Sequence, residues 1–110
     1  VSAADVVRRR GKTHNIERPQ APTITDGFSI ASAPVASTVW AHTQPLSMEQ
    51  LRNLPPGQNS SDWRNVWSMQ QLLIKDRIQI DGQWFIVQRE EEWVEGQFWH
   101  GQASIIRDTL

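Results

Sequence analysis

An Asp-Gly pair between two alternating apolar runs constrains this chain more than any other stretch: Arg77-Ile78-Gln79-Ile80 precedes it and Gln83-Trp84-Phe85-Ile86-Val87 follows it. Asp-Gly supplies the left-handed positions of a tight hairpin turn, so the flanking runs pair as antiparallel strands. With Asp81 and Gly82 as the turn, Ile80 stands opposite Gln83 and Ile78 opposite Phe85, which puts Ile78, Ile80, Phe85 and Val87 on one face. The other face holds Arg77 and Gln79 beside Trp84 and Ile86. A solvated face does not normally carry two large apolar side chains. Trp84 and Ile86 therefore need a cover, from elsewhere in the chain or from another subunit.

Other short elements gather around this hairpin. Val39 and Ala41 alternate with Thr38, Trp40 and His42, a strand period that Pro45 ends because it has no N–H to donate. Ser47 is then a helix N-cap, with Gln50 placed to complete a capping box and Leu46 and Leu51 in the two staple positions, which predicts a helix over 47–54 stopped by Pro55-Pro56-Gly57. Gln44, Pro45, Leu46 and Ser47 thus specify a corner. Residues 63–74 are richest in strand formers and read as a strand. In the last strand, from about 98 to 107, Trp99, Gly101, Ala103 and Ile105 alternate with polar residues and face the core. The segment between, from Glu90 to Glu95 with Trp93 at its middle, reads as an acidic loop.

The N-terminal third is less regular. Val6 and Val7 begin a short strand leading into Arg8, Arg9, Arg10 and Lys12. Residues 11–34, rich in Pro, Thr, Ser and Ala, read as one long loop, and loops of that length are functional or disordered. About five or six short strands, one short helix and no long crossover predict a small antiparallel β-barrel, mainly β, as a single domain over 1–110.

Composition narrows the function. The chain has 110 residues, a formal net charge of -1 and no cysteine, so disulfides and thiolate chemistry are absent and no global field favours nucleic acid or membrane. With no apolar run long enough to span a bilayer and no export signal, a soluble chain is expected, and no membrane partner. His14, His42 and His100 lack a second ligand at metal spacing, so no metal or other cofactor is expected. There is no GxSxG, no phosphate-binding glycine pattern and no opposed carboxylate pair, so neither an enzyme nor a small-molecule substrate is expected. Six tryptophans against no tyrosine exceed what a small barrel core can hold. Some of Trp40, Trp63, Trp67, Trp84 and Trp93 therefore belong at an interface, and His42 points the same way as Trp40. The cluster of Arg8, Arg9, Arg10 and Lys12 can meet phosphates but has no interleaved aromatics for base stacking.

The order of these features resembles the small head-to-tail connector proteins of tailed bacteriophages, the stopper or head-closure group above all. Trp40, Ala41, Gln44, Pro45, Leu46 and Ser47 carry the resemblance, followed by Asp76, Arg77, Ile78, Asp81, Gly82 and the strand from Trp84 to Val87. Two features depart from it: Met48-Glu49-Gln50 where small or basic residues are usual, and the acidic stretch 90–95. The resemblance implies a structural virion protein, assembled in the host cytoplasm as a closed ring of about six or twelve copies. Such a ring lies in the neck between a portal or adaptor ring and tail proteins, with DNA passing through it. It further implies loops that help retain the packaged DNA, for which Asp26, Gly27 and Phe28 are candidates. Arg8, Arg9, Arg10 and Lys12 are candidate phosphate contacts, and Trp40, His42, Trp84, Ile86 and Trp93 candidate subunit contacts. The alternatives are a non-sequence-specific nucleic-acid-binding barrel and a tail-side completion protein.

Overall fold

In the computed structural model the Asp-Gly turn stands where the sequence requires it. Ile78 is registered opposite Phe85 and Ile80 opposite Gln83. Asp81 (φ 51°) and Gly82 (φ 79°) both lie in the left-handed region, as a two-residue I′ turn demands. The structure describes residues 3–21, 23–25, 27–30, 33–54, 56 and 60–106.

The strands are β1 (Lys12–Arg18), β2 (Thr23–Thr25), β3 (Phe28–Ile30), β4 (Val35–Gln44), β5 (Trp63–Ser68), β6 (Arg77–Ile80), β7 (Gln83–Val94) and β8 (Phe98–Ile105). Two short helices, α1 (Ala3–Arg10) and α2 (Met48–Arg52), accompany them. Six strands close a barrel in the order β1-β4-β5-β8-β7-β6, with β6 returning to β1, while β2 and β3 form a separate two-stranded sheet. The interior is filled by the predicted hairpin face, Ile78, Ile80, Phe85 and Val87, with Val39, Ala41, Val66, Trp99 and Ala103. Gly101, also inward, leaves room that the Trp99 ring occupies: a Cβ there would collide with that ring and with the Arg89 carbonyl.

The N-terminal third departs from expectation. Residues 3–10 form a helix rather than a strand. Asp5 in its first turn and Arg8, Arg9 and Arg10 in its last suit the helix dipole, and Ala4 and Val7 form its buried stripe. The β-branched Val6-Val7 pair favours a strand locally, and burial of Val7 outweighs that preference.

The long loop at 11–34 is likewise replaced by strands. Lys12 pairs with Ala41, Arg18 with Val35, Thr23 with Ile30 and Thr25 with Phe28, and each pair of residue numbers adds to 53. The two ladders are therefore one hairpin in one register, running from Lys12 to Ala41. Its strands are broken around Pro19 and Pro34, which stand at opposed positions and can give the ladder no N–H. Between the paired Thr25 and Phe28, Gly27 lies in the left-handed region at φ 80°; Asp26 lies outside the described residues. Residues 33–38 of the returning strand are exposed throughout, whereas opposite them Ile16 is buried in the barrel core and Glu17 and Arg18 are half-buried.

Two further boundaries move. The expected acidic loop at 90–95 is mostly strand, because β7 runs to Val94, with register shifts between Val87 and Arg89 and between Glu90 and Glu92. The shifts mark irregularities of the bulge type, which let a long strand bend around a small barrel. The strand expected over 63–74 stops at Ser68, and the following loop sends the buried Leu72 into the core.

Candidate functional site

The corner after β4 forms as its sequence prescribes. The Ser47 side chain accepts from the Gln50 N–H (3.3 Å) and the Gln50 side chain accepts from the Ser47 N–H (2.8 Å), completing the capping box. The same Gln50 amide reaches the barrel wall, where it forms a reciprocal pair with the buried Asn65 on β5, at 3.0 and 2.7 Å. Asn65 also donates to the Pro45 carbonyl, while its Oδ1 accepts from Gln102 (3.0 Å) and lies 3.1 Å from His100 Nε2. An amide oxygen only accepts, so the neutral His100 ring carries its proton on Nε2. Pro45 and Ser47 thus shape the corner, and Gln50 with Asn65 fastens it to the sheet. Gln44 and Ser47 are exposed and Leu46 is half-buried.

Beside the corner, three rings stack across the outer face of β4, β5 and β8. His42 lies 5.9 Å from Trp67, and Trp67 lies 4.4 Å from His100 with the planes only 4° apart. The cross-strand register fixes this ladder, since His42 stands opposite Trp67 and Trp67 opposite His100. Burial pushes the His100 pKa down from its ordinary value, while Glu91 and Glu92 oppose the shift. One edge of the ladder is covered by α1: Val6 and Val7 line a pocket of about 190 Å³ with His42, Gln44 and Trp67. The Trp40 indole N–H donates to the Val7 carbonyl at 2.9 Å, yet the residue remains 42% exposed.

The remaining tryptophans divide. Trp99 alone is fully buried, its indole N–H donating to Glu90 at 3.1 Å. Trp93 stands opposite it and packs half-buried against the core. Trp84 and Ile86 are half-buried on the outer face, and Trp84 lines an open cleft of about 880 Å³ with Glu17, Asp62 and Arg77. Arg8, Arg9, Arg10 and Lys12 are exposed, and among the ion pairs of the described residues only Arg8 is engaged, with Asp5 at 3.3 Å. Phe28 and Gly27 lie at the tip of the arm, far along the hairpin from this cluster.

Sequence reasoning missed the ring ladder and the latch between Arg18 and Asp76. Trp67 and His100 become neighbours only through the pairing of β5 with β8, which no local pattern encodes. Asp76, by contrast, carried a legible signal: a lone carboxylate between Leu72-Leu73-Ile74 and Ile78. Among the described residues no group of three or more His, Asp or Glu converges as metal ligands do, and no helix is long and apolar enough to cross a membrane. Compared with known proteins, the chain matches no family model and no curated sequence.

Proposed function

We propose that this chain is a ring-forming structural protein of the phage neck, a stopper or connector that joins the portal region to the tail and helps hold DNA in the head. The observation that carries the reading is the arm. A hairpin with Gly27 at its tip leaves a closed barrel, its inner strands β2 and β3 form a sheet separate from the barrel, and residues 33–38 of its returning strand are exposed. An isolated two-stranded ribbon is marginal in water, so it gains stability by lying against something else. The ordered motifs of the corner and the 76–87 hairpin, together with five tryptophans outside the fully buried core, support the same role.

In this reading the arm tips project towards the channel and Trp84 faces a neighbour. The formal charge of -1 suits a channel, because a strongly basic lumen would retain DNA electrostatically. Native mass spectrometry of the chain, alone and mixed with portal and tail proteins, tests the proposal. A discrete ring in either sample supports it, and monomer in both overturns it. Salt-dependent DNA binding by the monomer, lost when Arg8, Arg9 and Arg10 are replaced by alanine, would favour the nucleic-acid-binding barrel instead.

A further inference from the structure

Closing a six-stranded barrel normally removes every strand edge, but here two strands outrun their partners. β4 pairs with β5 only from Ala41 to Gln44, although its ladder with β1 begins at Val35. The Trp40 carbonyl still accepts from the Met69 N–H at 3.0 Å. Among the described residues, residues 35–39 have no backbone partner on that side. Backbone groups alternate between the two edges of a strand, so Ala36 and Thr38 point the same way as the Trp40 carbonyl. Their N–H and C=O groups are the open ones. β7 shows the complementary defect: β6 covers it from Gln83 to Ile86, and Val87 bonds with Lys75 and Asp76. Among the described residues, residues 89–94 pair with β8 alone.

Monomeric proteins blunt such edges with lysine, proline or inward charge. The β4 edge has none of these between Val35 and Val39: its residues are Val, Ala, Ser, Thr and Val, and the first four are exposed. The charges flanking the two edges are complementary. Exposed Arg9, Arg10 and Lys12 lie where Gly11 abuts Trp40, at the end of the open β4 stretch. Exposed Glu90, Glu91 and Glu92 lie on the open stretch of β7, and among the ion pairs of the described residues Glu91 has only a 3.9 Å contact with Arg89.

We propose that the open edge of β4 at residues 35–39 pairs with the open edge of β7 at residues 89–94 of a second copy of this chain. Each copy then offers one edge of each kind, which makes the contact heterologous and able to propagate around a ring. This rests on the ring reading above and supplies it with a specific subunit contact.

The test is native mass spectrometry and light scattering on the full chain across a concentration series. Ala36→Pro removes one open N–H, and Thr38→Lys places a charge on the edge. Neither touches the groups that face β1, and circular dichroism with a melting curve checks that each variant folds. Expected is an oligomer for the wild type and at least a tenfold rise in the concentration needed for assembly by folded Thr38→Lys. The triple exchange of Glu90, Glu91 and Glu92 for glutamine should weaken assembly as well and reduce its salt dependence. If folded Thr38→Lys and Ala36→Pro both assemble like the wild type, the edge contact is overturned while the ring reading stands. A wild type that remains monomeric even with portal and tail proteins overturns both.

Discussion

Arg18 grips Asp76 through three contacts: Nε to both carboxylate oxygens at 3.1 and 3.2 Å, and Nη2 to Oδ2 at 2.8 Å. The carboxylate is almost fully buried, with its side chain 1% exposed, whereas Arg18 remains 38% exposed. Asp76 also accepts from the Leu73 N–H at 2.8 Å, and its own carbonyl accepts from the Val87 N–H. One residue therefore joins β1, the loop after β5 and β7 where the barrel closes. The hydrogen bond to Asp76 raises the pKa of Arg18, so the cation is held throughout the working range.

Replacing Asp76 by alanine should cost about 3 kcal/mol of stability, at the lower end of what breaking a buried pair costs, because Arg18 can turn to water. Asp76→Asn keeps an acceptor for Leu73 and should cost less. Urea unfolding of the two variants checks the order. Equal and negligible losses would mean that Leu72 and the strand ladders close the barrel without the latch.

Gly11 should be intolerant of even a methyl group. A Cβ at this position would collide with Trp40 Nε1 and the Val7 carbonyl, and would lie 2.8 Å from Trp40 Cδ1. Those groups make the hydrogen bond that docks α1 on the barrel, and the Gly11 N–H itself bonds to the Val7 carbonyl at 2.9 Å. Gly11→Ala should therefore detach α1 while sparing the barrel, at a cost of about 1–3 kcal/mol for the overpacked contact. Faster proteolysis within residues 3–10, with strand content by circular dichroism unchanged, is the expected result.

How much of this was legible in the sequence depends on where each constraint resides. Ser47, Gln50 and Pro45 act through neighbours a few positions away, and the corner stands as read. Ile78, Ile80, Phe85 and Val87 alternate around a turn that fixes its own register, and they form the core. The second hairpin carried the same signal, Thr-Ile-Thr before Asp26-Gly27 and Phe-Ser-Ile after, but the surrounding prolines gave the segment the composition of a loop. Those prolines interrupt the arm without abolishing it. The α1 helix and the His42, Trp67 and His100 ladder were hidden for another reason, since both are decided by contacts between segments distant in the chain.

Gly82 and Gly27 should respond differently to the same change. Gly82 and Gly27 have nearly equal φ values, 79° and 80°, so alanine strains each turn by about 1 kcal/mol. Gly82 joins two barrel strands whose side chains form the core, and that strain falls on global unfolding. Gly27 joins the strands of a separate sheet. Gly82→Ala should lower the melting temperature by several degrees, while Gly27→Ala should leave it within about one degree. A matching fall in both would show that the arm unfolds with the barrel as one cooperative unit.

His100 should make the fold acid-sensitive above the range where carboxylates titrate. Burial between Trp67 and the Asn65 network lowers its pKa below the ordinary 6.5, against the pull of Glu91 and Glu92. The unfolded chain, where that burial is lost, takes up a proton near pH 6.5 that the folded chain resists. The stabilising contribution is thus fully present above about pH 6.5 and is lost as pH falls towards the folded-state pKa. His100→Phe keeps a ring against Trp67 and removes the titration, at the expense of the bond to Asn65. Its stability at pH 7.5 should be lower than that of the wild type, but its decline between about pH 7 and 5.5 should be shallower. Because His14 and His42 are present in both proteins, the difference between the two pH profiles isolates His100. Parallel profiles would show that the ring is as free to take up a proton in the fold as in the unfolded chain.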